Sequence, residues 1–264
     1  MERIQPLTAA GLDGLIPLPE RAEKPRLTGV THVVDPGLTC VEAAGLMEVA
    51  SNHVDVVRLG WGSAMVTQAL EAKLATYLEH DVAPMLGGTL TELAWRHGRI
   101  DQLRDALIRL GIGHVEVSDG TIALAHEDKL DLIRRLAREF TVFSEVGSKD
   151  ADVIMAPYRW VEQIEQELEA GAWKVIAEAR ESGTAGIYRP DGEPRMGLVD
   201  EIVHEVDQHA IVWEAPRKEQ QVFFLKRFGS EVNLGNIPPE EVLGLETLRL
   251  GLRSDTADLA LPPT

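Results

Sequence analysis

Acidic and basic residues stand at the carboxyl ends of several short apolar runs in this sequence. Glu145 and Lys149 lie four residues apart across a glycine-containing turn, and Glu178 precedes Arg180 by two residues. A carboxylate in such an apolar setting must be paired, hydrogen-bonded or bound to a metal, because burying it alone costs too much free energy. These residues therefore predict a charged site that binds a metal or an anion.

The segment 233–238 shows a different pattern, Asn-Leu-Gly-Asn-Ile-Pro. Its backbone amides, including those of Gly235 and Asn236, come just before a predicted helix, and N–H groups at such a position can hold a phosphate. A plain turn followed by a proline-started helix explains the same residues and is common, so the segment alone favours the turn.

The elements that position these side chains are eight short runs rich in β-branched residues. They alternate with amphipathic helical patterns, and Thr39 and Glu42 have the spacing of a helix capping box. Eight repeats of strand and helix predict an α/β fold, a closed (β/α)8 TIM barrel, with an open doubly wound sheet as the alternative. The predicted strands span residues 29–35, 54–60, 82–88, 114–119, 141–147, 174–180, 210–216 and 231–236.

In a TIM barrel the active site lies at the carboxyl ends of the strands. Acids and bases recur at that end of at least five predicted strands. A solvated rim or a structural ion-pair network explains any single one of them, but the recurrence favours a functional ring. The ring comprises Asp35, Arg58, Gly87, Gly88, Thr89, Glu116, Ser118, Asp119, Ser144, Glu145, Lys149, Glu178, Arg180, Glu214, Arg217, Asn233 and Asn236.

The length of the chain suits one barrel. It has 264 residues, and a single (β/α)8 barrel typically needs roughly 250. We predict an N-terminal extension over residues 1–23, one barrel domain over 24–256 and a C-terminal tail over 257–264.

Composition excludes several classes of partner. A net charge of −17 repels nucleic acid and anionic lipid, so neither is an expected partner. Cys40 is the only cysteine, which excludes an intrachain disulfide. We find no signal-peptide pattern and no apolar run long enough to span a membrane, so a cytoplasmic location is expected.

Several longer motifs occur in order along most of the chain. They read KPR from residue 24, GGT from 87, VEVSDGT from 115, SEVG from 144, VIAEARESG from 175, WEAP from 213, QQV from 220, NLGNIPP from 233 and LETLR from 245. With these motifs the chain resembles the phosphosulfolactate synthase family, which also includes plant heat-stress-associated relatives.

The resemblance implies a carbon–sulfur lyase that adds sulfite to phosphoenolpyruvate with the help of Mg²⁺. The product would be 2-phospho-3-sulfolactate, an intermediate of coenzyme M synthesis, and the expected assembly is a homo-oligomer, namely a trimer. Lys149 is the expected general acid, with Glu145 and Arg180 as further catalytic residues, and Glu145 and Glu178 are the expected metal ligands. The expected substrate-binding residues are Arg58, Asp119, Glu214, Arg217, Gly235 and Asn236.

The chain departs from the family pattern at three positions. Pro36 follows Asp35 where the family usually has lysine, Arg58 stands where lysine is usual, and Ser148 replaces a residue that is often basic. Two alternatives remain, of which the lost cations motivate the first and the plant heat-stress-associated relatives of the family motivate the second. One is a paralogue that adds a different nucleophile to phosphoenolpyruvate or a related phosphorylated acid, and the other is a non-catalytic stress-associated protein on the same fold.

Overall fold

The computed structural model describes Leu12 and residues 15–147, 155–180 and 182–260. The strands are β1 (Thr31–Asp35), β2 (Val56–Leu59), β3 (Ala83–Leu86), β4 (His114–Val117), β5 (Thr141–Val146), β6 (Lys174–Ala177), β7 (Ile211–Glu214) and β8 (Leu234–Ile237). The α-helices are α1 (Cys40–Ala50), α2 (Leu70–Leu78), α3 (Gly88–Arg96), α4 (Ile100–Arg109), α5 (His126–Leu136), α6 (Pro157–Glu169), α7 (Met196–Glu205), α8 (Lys218–Phe228) and α9 (Val242–Arg249).

The strands form a closed parallel barrel in chain order, so the predicted TIM barrel is confirmed and the open sheet is excluded. β1 pairs in parallel with both β2 and β8, which closes the barrel. Helices connect successive strands, with both α3 and α4 between β3 and β4. Because all strands run the same way, their carboxyl ends meet on one face of the barrel.

Alternate strand positions fill the inside of the barrel, as the period of two requires. One interior layer is apolar and buried and consists of Val56, Met85, Phe143, Ile176 and Val212. Two positions further along the same strands, the lining of a cavity at the carboxyl face includes Arg58, Gly87, Glu145, Glu178 and Glu214. The apolar layer therefore supports a polar layer directly above it.

The helices pack against the outside of the barrel through two larger apolar clusters. The predicted capping box at the start of α1 is confirmed, since Thr39 Oγ1 accepts a hydrogen bond from the Glu42 amide and the Glu42 side chain accepts one from the Thr39 amide. No helix in the described part of the chain is long and apolar enough to cross a membrane.

Two arginines join the chain ends to the barrel near the start of β8. Arg249 of α9 is fully buried and donates to the carbonyl oxygens of Ser230 at 2.5 Å and Val232 at 2.7 Å. Arg21, in the predicted N-terminal extension, forms ion pairs with Glu231 and Glu246. This part of the extension therefore packs against the barrel.

Candidate active site

A cavity of about 790 Å³ opens at the carboxyl face of the barrel. Its volume lies within the usual range for small-molecule sites, roughly 300–1,000 Å³. The residues that line it are Val34, Arg58, Gly60, Trp61, Gly87, Gly88, Thr89, Glu116, Gly120, Thr121, Glu145, Glu178, Arg180, Ser182, Glu214 and Asn236. The predicted ring of charged strand ends is thus largely brought together in one place.

Four glutamates from four consecutive strand ends converge in this cavity. Glu116 comes from β4, Glu145 from β5, Glu178 from just after β6 and Glu214 from β7. Each is at most 3 % exposed. Buried carboxylates need compensation, because the loss of hydration penalises their charge.

Arg58 on β2 provides part of that compensation. Its Nη1 donates to Glu116 Oε2 at 3.1 Å and lies 3.9 Å from Glu145 Oε2. Its Nη2 lies 3.4 Å from Glu214 Oε1 and donates to Asn236 Oδ1 at 3.1 Å. Burial alone would lower the pKa of the Arg58 guanidinium, but the neighbouring carboxylates outweigh it and raise that pKa, so Arg58 stays charged.

Glu214 holds its proton more tightly than an ordinary carboxyl group. Burial, helped by the charges of Glu145 and Glu116, raises its pKa to about 7, although Arg58 and a 2.9 Å hydrogen bond from the Ala179 amide act in the opposite direction. A carboxyl group with a pKa near neutrality can both give and take a proton at physiological pH. The ring therefore contains one group suited to proton transfer within the described residues.

The turn after β3 and the loop after β4 form a second, uncharged part of the lining. The Gly88 amide donates to Glu116 Oε1 at 2.7 Å. A Cβ at Gly88 would lie 2.0 Å from Ser118 Oγ, so only glycine fits between the turn and β4. Thr89 and Thr121 stand side by side here, with 3.3 Å between their hydroxyl oxygens.

Glu92 was missed by the sequence analysis, although it holds this part of the site together. Its side chain is fully buried on α3, where Oε1 accepts a hydrogen bond from Ser118 Oγ at 2.5 Å. Oε2 accepts from the amides of Thr121 and Ile122 at 2.7 and 2.8 Å. The only signal in the sequence is its spacing of four from Gly88, which places both on one helix face.

Three expected substrate-binding residues do not line the cavity. Asp119 binds Lys129 Nζ of α5 at 3.2 Å instead. Arg217 is exposed at the start of α8, with one guanidinium nitrogen near Gly192. Gly235 lies in the barrel interior, where a Cβ would be 2.8 Å from Val212 and 3.1 Å from His32.

Two further members of the predicted ring have structural contacts. Asn233 lies before β8 rather than at its end, because that strand begins one residue later, and it bonds to Val30, His209 and Ile211 backbone groups. Asp35 is fully buried and binds Lys73 Nζ and Tyr77 Oη, both at 2.9 Å. Burial and Asp35 raise the pKa of Tyr77, so its hydroxyl stays protonated.

Of the remaining predicted residues, the structure describes Arg180 and Asn236. Arg180 lines the cavity with a left-handed φ of 57°, and its amide donates to Glu178 Oε1 at 2.5 Å. Asn236 also has a left-handed φ, 55°, and contacts Arg58. Lys149 and Ser148 lie outside the described residues. His32 is buried in the barrel and stacks on Phe143.

A metal ion would need suitably arranged ligands among the same residues. No group of three or more histidine, cysteine or acidic side chains within the described ranges is arranged to hold a metal ion. Mg²⁺ needs only one or two carboxylates, since it keeps several waters. The cavity lining in these ranges contains four buried glutamates, and two carboxylates are enough for such a site.

The fold and the site together define a (β/α)8 barrel enzyme with a charged cavity at the carboxyl face. Residues 19–255 match the model of the (2R)-phospho-3-sulfolactate synthase (ComA) family. The chain belongs to this family.

Two relatives illustrate the match. The chain is 40% identical over 247 residues to the phosphosulfolactate synthase of Bacillus subtilis (strain 168), covering 92% of this chain and 98% of that protein. It is 41% identical over 244 residues to the phosphosulfolactate synthase of Methanothermobacter thermautotrophicus, covering 90% and 95%.

Solved structures support the fold. A 3-keto-L-gulonate-6-phosphate decarboxylase from Vibrio cholerae matches with a TM-score of 0.54 and 10% identity, covering 89% of this chain and 100% of that chain. A 3-hexulose-6-phosphate synthase from Salmonella typhimurium matches with a TM-score of 0.50 and 14% identity, covering 88% and 94%. At such low identity the likeness concerns the barrel alone.

Proposed function

We propose that the protein adds sulfite to phosphoenolpyruvate to give 2-phospho-3-sulfolactate, which makes it a carbon–sulfur lyase. Membership of the family along residues 19–255 supports this activity. The observation that carries it is the convergence of four strand-end glutamates in one cavity of the barrel, three of them within 4 Å of Arg58.

The reaction needs stabilisation of negative charge at one end of the substrate. Attack of sulfite on C3 of phosphoenolpyruvate moves electrons to C2 and its carboxylate, which becomes an enediolate. Arg180 is exposed at the cavity and can form a forked hydrogen bond with a carboxylate or phosphate. Arg58 forms ion pairs with the buried carboxylates of Glu116, Glu145 and Glu214.

Glu145 and Glu178 would hold Mg²⁺, directly or through water. When bound, Mg²⁺ supplies Lewis-acid stabilisation of the charge that develops on the substrate carboxylate. The charges of the described lining support its presence, because they comprise four glutamates and two arginines while both substrates are anions.

C2 must then receive a proton. Lys149 remains our proposed general acid, and such a group typically contributes about 10²–10⁴-fold to the rate. We expect the Lys149→Ala variant to lose turnover on that scale while still binding phosphoenolpyruvate. Turnover within a few fold of wild type would contradict the assignment and make Glu214 the first alternative.

The direct test is phosphorus NMR of the purified protein with phosphoenolpyruvate, sulfite and Mg²⁺. A new phosphoester signal that needs all three components is the expected result. If phosphoenolpyruvate and Mg²⁺ bind but sulfite gives no product, a paralogue with another nucleophile is favoured. If neither binds to the folded protein, the non-catalytic alternative is favoured.

Activity as a homo-oligomer is part of the proposal, with a trimer as the expected form. Sedimentation of the purified protein at the concentration used for the assay tests it. The negative surface and the absence of a membrane-spanning helix in the described ranges are consistent with a location in the cytoplasm.

A further inference from the structure

The charged side chains of the cavity lining stand on strand ends, including Arg58 of β2 beside Gly87, whereas two of its turns are uncharged. The ends of β4 to β7 contribute the four glutamates, and Arg180 follows β6. The turn after β3 and the loop after β4 contribute only Gly87, Gly88, Thr89, Gly120 and Thr121. We name these five residues the hydroxyl wall, because its side-chain polar groups are the hydroxyls of the two threonines.

The hydroxyl wall is held in a fixed shape. Glu92 binds the Ser118 hydroxyl and the amides of Thr121 and Ile122, so the loop after β4 is fastened to α3. The Gly88 amide is fastened to Glu116. As a result Thr89 Oγ1 and Thr121 Oγ1 are 3.3 Å apart before any ligand binds. The two hydroxyls hydrogen-bond to each other, and either oxygen can be the donor. When a small oxyanion binds, this one bond is exchanged for two, one from each hydroxyl to an oxygen of the anion.

The two substrates differ in what they need from the cavity. Phosphoenolpyruvate carries a carboxylate and a phosphate, both suited to cations, whereas its C3 methylene is uncharged. We place the phosphate and the carboxylate at Arg180, which leaves C3 facing the side of the hydroxyl wall. Sulfite attacks C3, so it must bind on that same side.

We propose that Thr89 and Thr121 form the sulfite subsite, an inference that rests on the proposed function. Their hydroxyls donate hydrogen bonds to sulfite oxygens. The lone pair on sulfur accepts no hydrogen bond and is directed at C3. That lone pair forms the C3–S bond, the C2–C3 π pair moves to C2 and its carboxylate, and a proton delivered to C2 completes the addition.

The uncharged character of the wall suits a nucleophile. A guanidinium would bind sulfite more tightly but would also draw electron density from it, since charge-assisted hydrogen bonds are about twice as strong as neutral ones. Weaker donors bind the anion while costing less of its reactivity. The subsite therefore positions sulfite rather than trapping it.

The test is the removal of each hydroxyl at nearly constant volume. In Thr89→Val and Thr121→Val we expect the KM for sulfite to rise by about tenfold, because each loses a hydrogen bond to a charged ligand, while the KM for phosphoenolpyruvate changes little. Thr89→Ser and Thr121→Ser keep the hydroxyl and should restore the wild-type KM for sulfite. Thr76→Val, on α2 and outside the cavity lining, is the remote control.

The outcomes separate this inference from the proposed function. Failure of the wild-type protein to convert sulfite and phosphoenolpyruvate would overturn both, and it is seen before any variant is made. With an active wild type, a rise in the KM for phosphoenolpyruvate alone would assign the wall to that substrate and overturn the inference. Unchanged constants in both valine variants would also overturn it.

Discussion

Arg58 is the residue on which the electrostatics of the site depend. Its two terminal nitrogens contact Glu116, Glu214 and Asn236 within 3.4 Å, and it is only 12% exposed. A planar fork can satisfy several acceptors at once, whereas an ammonium group is a single point of charge. Removing the guanidinium would leave buried carboxylates facing each other.

We therefore expect Arg58→Met to lower the free energy of unfolding by about 3–5 kcal/mol. Arg58→Lys keeps the charge and should lose less. Arg134→Met is the matched control, because the ion pair of Arg134 with Asp131 is exposed and should contribute at most about 1 kcal/mol. Urea unfolding of the three variants measures the differences, and equal losses at both arginines would contradict this account.

The ionisation of Glu214 makes the free energy of unfolding depend on pH, and the sign of this dependence follows from its pKa. Its pKa rises from 4.5 to about 7 on folding, mainly through burial. The stability from its bound proton is therefore complete below pH 4.5 and is lost as the pH rises through 7. A shift of this size corresponds to about 3 kcal/mol.

Glu214→Gln should remove this pH dependence, because glutamine keeps the shape without the ionisation. In metal-free buffer, the unfolding free energy of the variant relative to wild type should rise between pH 5 and pH 8, by at most about 3 kcal/mol. Glu165→Gln on the exposed face of α6 should show no such trend. A constant difference across this range would mean that Glu214 is ionised throughout.

At the scale of the element, α3 follows β3 and contacts both β4 and the loop after it. Its first residue must be glycine, since a Cβ there would meet Ser118 Oγ at 2.0 Å and Glu116 Oε1 at 2.8 Å. Glu92, four residues further along α3, binds the loop after β4. One short helix thereby holds both Glu116 of the cavity lining and the loop that carries Thr121.

Gly88→Ala should lower the unfolding free energy by about 1–3 kcal/mol through overpacking, and it should also lower kcat/KM. Gly45→Ala in α1 is the matched control, because a Cβ there meets nothing within 4 Å. In that exposed helix interior, alanine should raise stability by about 1 kcal/mol. Thermal unfolding and steady-state kinetics of both variants test the contrast, which fails if the two changes have the same sign.

At the scale of the whole molecule, periodicity predicted the barrel and most of its inner ring. Glu116, Glu145, Glu178 and Glu214 stand out because they interrupt apolar runs at the carboxyl end of a strand. Asp119 was misplaced because the strand ends at Val117 and the chain then turns toward α5, where Lys129 binds it. The alternation of side chains between the two faces of a strand ends where the strand ends.

Buried charges on helices could not be predicted in this way. Lys73, Glu92, Lys129 and Glu167 are all at most 1% exposed, whereas charged residues on a helix usually face solvent. Lys129 pairs with Glu167 at 2.8 Å and donates to the Glu145 carbonyl at 2.6 Å. These partners come from different elements, so the sequence spacing of the residues carries no sign of them.

The overall charge of the molecule makes a further prediction about substrate capture. The chain has 43 acidic residues against 26 basic ones, and phosphoenolpyruvate and sulfite are both anions. Long-range repulsion then opposes their approach, and salt weakens it because the Debye length falls from about 30 Å at 0.01 M to about 10 Å at 0.1 M ionic strength.

We expect kcat/KM for phosphoenolpyruvate to rise about two- to threefold over that range of potassium chloride, the opposite of the fall seen in electrostatically steered association. Free Mg²⁺ is kept constant, and sucrose at equal osmolarity controls for effects other than screening. A fall in kcat/KM from the lowest salt onward would mean that the local field of Arg180 and any other cation at the cavity outweighs the negative surface. Salt changes only the rate at which substrate reaches the protein, so kcat at saturating substrate should remain unchanged.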